Sequence, residues 1–242
     1  MKHGQLFLIP SALGDVPWQT WLPAETQAIA CRLTHFITEN AKTTRAELKR
    51  LGHPIPLRDL AIEQLPEQLT GAETDRLLAP LLAGHNVGLL SEAGCPGVAD
   101  PGALLVRRAH ELGIRVQPLI GPSSLLLALM ASGLDGQRFA FHGYLPVRDP
   151  ERTTRITELE KESKRHRQTQ IFIEAPYRNA ALLQALLSTC RPETLLCLAT
   201  DLTTPSESIA TRSIAQWRDM QAPNPDRRPT VFLLLSASNS SS

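Results

Sequence analysis

The sequence has no CxxC pair. Its four cysteines, Cys31, Cys95, Cys190 and Cys197, are scattered, and none of the seven histidines stands at metal-ligand spacing beside them. That pattern excludes a disulfide framework and a zinc site, and it fits a reduced, cytosolic compartment. No apolar stretch reaches the length needed to span a bilayer. The apolar run in MKHGQLFLIPS is too short for the core of a signal peptide and reads as a first strand. Charge of one sign is lacking too. The formal net charge is +1, so no whole-chain field selects a polyanion, although a local basic face is compatible with it.

Three fingerprints are missing as well. No GxGxxG follows the first apolar run, which disfavours a standard dinucleotide site. No GxxxxGK followed by Ser or Thr occurs, so there is no P-loop, and the absence of GxSxG removes the nucleophile elbow of a hydrolase. A nucleotide-like ligand would therefore be held by backbone and small side chains, without a phosphate grip. S-adenosylmethionine meets that description, since it joins an adenosine, a zwitterion and a sulfonium and has no phosphate.

What is present is an ordinary globular composition, 42% hydrophobic and 20% charged over 242 residues, enough for one large domain or two small ones. Short apolar runs predict strands at Gln5 to Ile9, His35 to Thr38, Asn86 to Ser91, Ile114 to Ile120, Arg138 to Gly143, Gln170 to Glu174, Leu195 to Ala199 and Thr230 to Ser236. They are apolar throughout rather than at alternate positions, the mark of parallel strands covered on both faces. Helical patterns fall between them at Thr74 to Gly84, Asp100 to Gly113, Ser123 to Gly133, Arg152 to Gln168 and Asn179 to Thr189. Asp100 reads as an N-cap followed by Pro101, and the charged helix Arg152 to Gln168 reads as solvated. The alternation predicts an α/β protein of two domains with mostly parallel sheets. The break PLIGP places their boundary at 118/119, and the Ser-rich end 237–242 reads as frayed.

Turn chemistry gathers at the strand ends. LLSEAGCPGVADPG, Leu89 to Gly102, lies between a strand and a helix, where open parallel sheets bind ligands. Gly94 and Gly97 let backbone approach a ligand, and Pro96 and Pro101 fix the loop. A tight connection without a ligand is the competing reading. IPSALG after the first strand, GPSS at Gly121 to Ser124, and EAPYR at Glu174 to Arg178 hold the corresponding positions, which suggests one crevice between two domains.

The ordered set IPSALGDV, ITENAKTTRAELKRLG, LLSEAGCPGVADPG, VQPLIGPSS, ASGLDGQRFAFHGYLP, IFIEAPYR and ATDLTTPSE resembles the tetrapyrrole-methylase-like superfamily of methyltransferases. Within it the likeness is to the ribosomal small-subunit RNA cytidine 2′-O-methyltransferases, from about Gln5 to Ser236. The resemblance implies a homodimer of two-domain α/β chains that binds S-adenosylmethionine in the interdomain cleft, with ribosomal RNA or the small subunit as partner and no metal. Carried over residue by residue, it implies cofactor contacts at Pro10, Ala93, Gly94, Cys95, Ser123, Ser124, Glu174, Ala199, Pro229 and Thr230. Departures lie mostly on the acceptor side. The family reads AEDTR where this chain has Thr38-Glu39-Asn40-Ala41-Lys42, SDAGTP where it has Ser91 to Pro96, and ARELTK where it has Ala199 to Thr204. The sequence also stops before the family's extra C-terminal segment.

Glu39, Arg45 and Arg178 are the candidate catalytic residues. Glu39 ends an apolar run as an active-site carboxylate would, and would serve as general base if the acceptor is a ribose hydroxyl; a strand-end cap is its structural alternative. The two arginines would otherwise be surface or helix-start residues. Asp15, Asp100, Asp201 and Tyr177 are possible ligand neighbours, and Cys95 is small filler whose backbone matters, because a catalytic thiol there lacks a histidine partner. Two other readings stay open: methylation of a tetrapyrrole, and a non-catalytic homologue that retains the cofactor pocket.

Overall fold

A computed structural model describes residues 3–66, 68–220 and 224–236. The end read as frayed, 237–242, lies outside the described residues. The chain divides into two compact units, Met1–Ser123 and Ser124–Ser242, so the division falls beyond the expected 118/119, after the GPS turn instead of before it.

The first unit runs β1 (Gln5–Ile9), α1 (Ala24–Ala30), β2 (His35–Thr38), α2 (Ala41–Arg50), β3 (Ala61–Gln64), α3 (Gly71–Leu82), β4 (Val87–Leu90), α4 (Ala103–Glu111) and β5 (Arg115–Pro118). Its five strands lie in the order β3-β2-β4-β1-β5, and every pairing is parallel. Successive residues of a strand face opposite sides of the sheet. Leu6, Ile37 and Leu89 accordingly pack with Leu78 and Leu105 under α3 and α4. Phe7, Phe36 and Leu90 pack with Ala30, Leu48 and Leu51 under α1 and α2. The central strands β1 and β4 carry unbroken apolar runs, Leu6 to Ile9 and Val87 to Leu90, because both faces are covered.

The second unit runs α5 (Ser124–Ser132), β6 (Phe139–Tyr144), α6 (Glu151–His166), β7 (Thr169–Ile173), α7 (Asn179–Thr189), β8 (Leu195–Thr200), β9 (Ser208–Ser213), α8 (Ile214–Asp219) and β10 (Thr230–Leu235). Its strand order is β6-β7-β10-β8-β9. Here the expectation of a mostly parallel sheet is corrected. Only β6 and β7 are parallel, whereas β10 runs antiparallel to β7 and β8, and β8 antiparallel to β9. Continuous hydrophobicity reports cover on both faces, not strand direction. Phe172, Leu198 and Phe232 pack under α6, α7 and α8, while α5 lies against β8, β9 and β10 on the other face. The connection from β8 to β9 holds no helix, which suits an antiparallel return.

Two helix readings are also corrected. The helix α4 begins at Ala103, and its N-cap is Gly102 at φ +128°, not Asp100, whose side chain is engaged by Ser91. The charged helix α6 is not solvated all round, since Ile156, Leu159, Glu160 and Ser163 are buried. The Glu160 carboxylate accepts from the Thr194 hydroxyl at 2.6 Å and the Arg191 N–H at 2.8 Å, which satisfies a buried acid.

Candidate active site

Because the first sheet is wholly parallel, the carboxyl ends of β1, β2, β4 and β5 share one edge. An isolated antiparallel bridge joins the loops after β1 and β4: the Ser11 N–H donates to Gly94 O at 2.8 Å, and the Gly94 N–H to Ser11 O at 3.1 Å. The Ser11 hydroxyl also donates to Ser91 O at 2.8 Å. The Cys95 thiol reaches Pro122 O at 3.3 Å, and a Cβ on Gly121 would stand 2.4 Å from Pro10 Cβ. Pro10, Ala93, Gly94 and Cys95 therefore come together with the GPS turn that ends in Ser123. Gly94 sits at φ +70°, in the left-handed region where glycine carries no Cβ penalty. Burial, and then the charge of Asp100, raise the Cys95 thiol, so it stays protonated near neutrality.

Beside this clasp lie three acids. Burial first, and then the negative charge of Glu92, hold the Glu39 carboxyl above its ordinary range, while the Glu92 N–H pulls the other way. The Glu39 Oε2 atom is buried and has no hydrogen-bond partner among the described residues. Asp100 is pushed up to about 6 by burial and the charges of Glu39 and Glu92, against a hydrogen bond from Ser91. Carboxylates crowded in this way favour retention of protons and the approach of a cation.

An open cavity of about 290 Å³ adjoins the acids, lined by Ser11 to Gly14, by Ser91 to Ala93, and by Thr43, Thr44, Ala46, Glu47 and Arg50 of α2. Arg50 pairs with Asp15 at 2.8 Å and donates to Gly14 O at 3.2 Å, which holds the β1 loop against the helix. Burial raises the Glu47 carboxyl against the pull of Arg50 and the Ala12 N–H. Glu47, Arg50 and Glu92 were not singled out from the sequence. The signal was there in α2, where Thr43, Glu47 and Arg50 stand at i, i+4 and i+7 and so share a face. Arg45 is exposed on α2 and donates to Ala41 O at 3.3 Å; it does not line the cavity.

Asn40, one of the departures from the family pattern, caps α2 by accepting from the N–H groups of Lys42 at 2.9 Å and Thr43 at 3.4 Å. Asp and Asn cap equally well. Asn40→Ala should cost about 1 kcal/mol, a fall of roughly 2–4 °C in Tm for a chain of this size. Asn40→Asp should leave Tm in place. Thermal scans followed by circular dichroism check both, and equal Tm values for all three proteins would remove the cap from the account.

In the second unit, Glu174, Ala199 and the Pro229-Thr230 pair also share one sheet edge, because β10 starts where β7 and β8 end. The Asp201 N–H donates to Pro229 O at 2.9 Å, and the Thr200 and Thr230 hydroxyls meet at 3.1 Å. The guanidinium of Arg178 is not free. Its Nε and Nη2 atoms donate to Glu174 Oε1 at 2.9 and 2.7 Å, and it lies 5.1 Å from the Tyr177 ring centre. The pair shapes the turn after β7, with the Ala175 N–H donating to the same oxygen at 2.7 Å. Among the described residues no group of three or more His, Cys, Asp or Glu is placed to hold a metal ion, and no helix is long and apolar enough to cross a membrane.

Comparison with known proteins places these edges in a family. Residues 31–217 match the family described as Tetrapyrrole (Corrin/Porphyrin) Methylases. The Ribosomal RNA small subunit methyltransferase I of Xylella fastidiosa is 32% identical over 232 residues, covering 96% of this chain and 81% of that protein. The protein of the same name from Pseudomonas aeruginosa is 36% identical over 237 residues, covering 98% and 80%. Among solved structures, the methyltransferase CobJ superposes with a TM-score of 0.62 at 20% identity over 97% of this chain and 95% of its own. The cobalt precorrin-4 methyltransferase CbiF gives 0.61 at 14% identity over 96% and 94%. Likeness at this level over nearly the whole sequence is that of relatives, and the chain belongs to the tetrapyrrole (corrin/porphyrin) methylase family.

Proposed function

We propose that this chain, an S-adenosylmethionine-dependent methyltransferase, methylates small-subunit ribosomal RNA at a ribose 2′-hydroxyl, with Glu39 as the general base. The carrying observation is the Glu39 carboxyl, raised by burial and by the charge of Glu92, with Oε2 buried and unpartnered among the described residues. A carboxylate raised in pKa in this way is matched to taking a proton from a hydroxyl near neutral pH. Relatives at 32% and 36% identity carry the ribosomal RNA name, whereas the methyltransferases CobJ and CbiF, at 20% and 14%, share the fold.

The residues fit the cofactor. Gly94 and its neighbours offer backbone without a side chain, and Glu39, Glu92 and Asp100 suit a ligand that carries positive charge. Ala93, Gly94 and Cys95 of the first unit would hold it. S-adenosylmethionine supplies a methyl group already activated by the positive charge on its sulfur. What remains for the protein is to position the acceptor and remove its proton. Ser11 and Ser91 fix the loop that carries Glu92, whose charge bears on Glu39. Burial, and then the charge of Glu92, keep Glu39 basic.

Small-subunit RNA incubated with the protein and methyl-labelled cofactor, then digested to nucleosides for mass spectrometry, should yield a labelled 2′-O-methylnucleoside. Label on a base, or transfer to a tetrapyrrole and none to RNA, would overturn the reading. The proposal extends to a homodimer in the cytoplasm, where such RNA resides. The apolar side chains of Leu126 and Met130, which α5 leaves exposed, support an oligomer. Light scattering at low micromolar concentration should give about twice the chain mass, and a monomer would refute it.

A further inference from the structure

The helix α2 carries Lys42, Arg45 and Lys49. At i, i+3 and i+7 they form one stripe along the helix. All three are exposed, and none forms an ion pair with a carboxylate among the described residues. The acidic residue of the same helix, Glu47, is turned away from the stripe into the cavity, and the remaining cation, Arg50, is neutralised by Asp15. Between the charges lies Ala46, exposed and small, which also lines the cavity edge. Buried Thr44 and Leu48 anchor the opposite side of the helix, so the stripe has a fixed bearing on the sheet.

The placement of this stripe distinguishes it from a solvated face. The helix begins at Ala41, so its first cation, Lys42, follows the proposed base by three residues and the stripe leads away along the helix. From Lys42 to Lys49 the helix rises about 10 Å. The net charge of +1 means that a polyanion would be guided by such a local feature and not by the chain as a whole. Resting on the RNA reading above, we infer that the outer face of α2 is a track for the phosphate backbone of single-stranded RNA, with Lys42, Arg45 and Lys49 contacting successive phosphates beside the acceptor nucleotide. The contacts carry no base recognition, so they set register and affinity and not sequence choice.

The test is the salt dependence of binding to a fluorescent single-stranded oligoribonucleotide of small-subunit sequence, using the full chain and the variant Lys42→Gln, Arg45→Gln, Lys49→Gln. Glutamine preserves helix propensity and removes the charges. Each phosphate contact on a single strand contributes roughly 0.7 to the slope of log K against log salt. The triple variant should therefore be shallower by about 2, with S-adenosylmethionine affinity and Tm unchanged. Each single variant should lose roughly a third of that, which keeps the test open if the triple variant folds poorly, and Lys→Arg replacements should retain the slope. An unchanged slope with RNA still bound overturns the track and leaves the RNA reading standing. Lost affinity for polyglutamate with an unchanged RNA slope assigns the face to an acidic protein and also overturns it. A parent protein that binds no RNA defeats the RNA reading, and the track with it.

Discussion

Glu39→Gln should lower methyl transfer to RNA by about 100- to 10,000-fold, the range for removal of a positioned general base. Glutamine retains the shape of the side chain but cannot take a proton. S-adenosylmethionine affinity, measured by calorimetry, should stay within about twofold of the parent, because electrostatic loss at a partly solvated site is small. The pH profile carries the sign. The base must be ionised, and its carboxyl is raised by burial and by Glu92, so the parent rate should fall as pH drops through the raised carboxyl range of Glu39, while Asp100 gains its own proton at about 6. Removing the Glu39 charge relieves Asp100, whose proton should then be lost at lower pH. Single-turnover rates across that range would show it. A variant within tenfold of the parent, with an unchanged acid limb, would remove Glu39 from the chemistry.

Gly94→Val should abolish S-adenosylmethionine binding up to millimolar ligand. A Cβ at Gly94 would have Leu13 Cδ2 at 3.5 Å and Pro122 O at 3.9 Å as its nearest neighbours, so the ligand-free protein has room for it. The backbone is the difficulty: φ is +70°, and a β-branched residue there costs on the order of 1–3 kcal/mol. At roughly 2–4 °C per kcal/mol for a chain of this size, the ligand-free Tm should drop by several degrees. Strain and obstruction are separable. Gly113, at φ +68° with nothing within 4 Å, follows α4 at the far edge of the sheet. Gly113→Val should show a similar drop in Tm while the ligand-induced rise in Tm survives. Binding by Gly94→Val as tight as that of the parent would reduce the loop to a connection.

The sequence revealed what burial writes into it. Every strand covered on both faces was legible, because Leu6 to Ile9 or Leu196 to Ala199 are apolar without a break. β3 and β9 were not, because AIEQ and SIATRS lie at sheet edges and carry side chains suited to solvent. Strand direction in the second unit was hidden for a related reason, since an apolar run reads the same whichever way its neighbour points. In the candidate site the turn residues were legible, Gly94 by its conformational demand and Pro10 by its place. The acids were only half so. Glu39 stood out at the end of a strand, whereas Asp100 looked like a helix cap and Glu92 was not singled out. Their common chemistry depends on β2 and β4 lying side by side, a long-range fact that no local pattern encodes.

The polarity that concealed the edge strands also protects the protein from itself. An open sheet ends in rows of unpaired N–H and C=O groups that can template the addition of another chain, the first step toward aggregation. Each of the four borders is blunted by a different means. β3 carries Glu63, paired with Arg76 at 2.7 Å, and β5 ends in Pro118, which has no N–H to offer. β6 breaks its register between Phe141 and Tyr144, and β9 presents Ser208, Thr211 and Arg212. Two sheets with such greasy interiors stay apart in a crowded cell because their margins make poor templates.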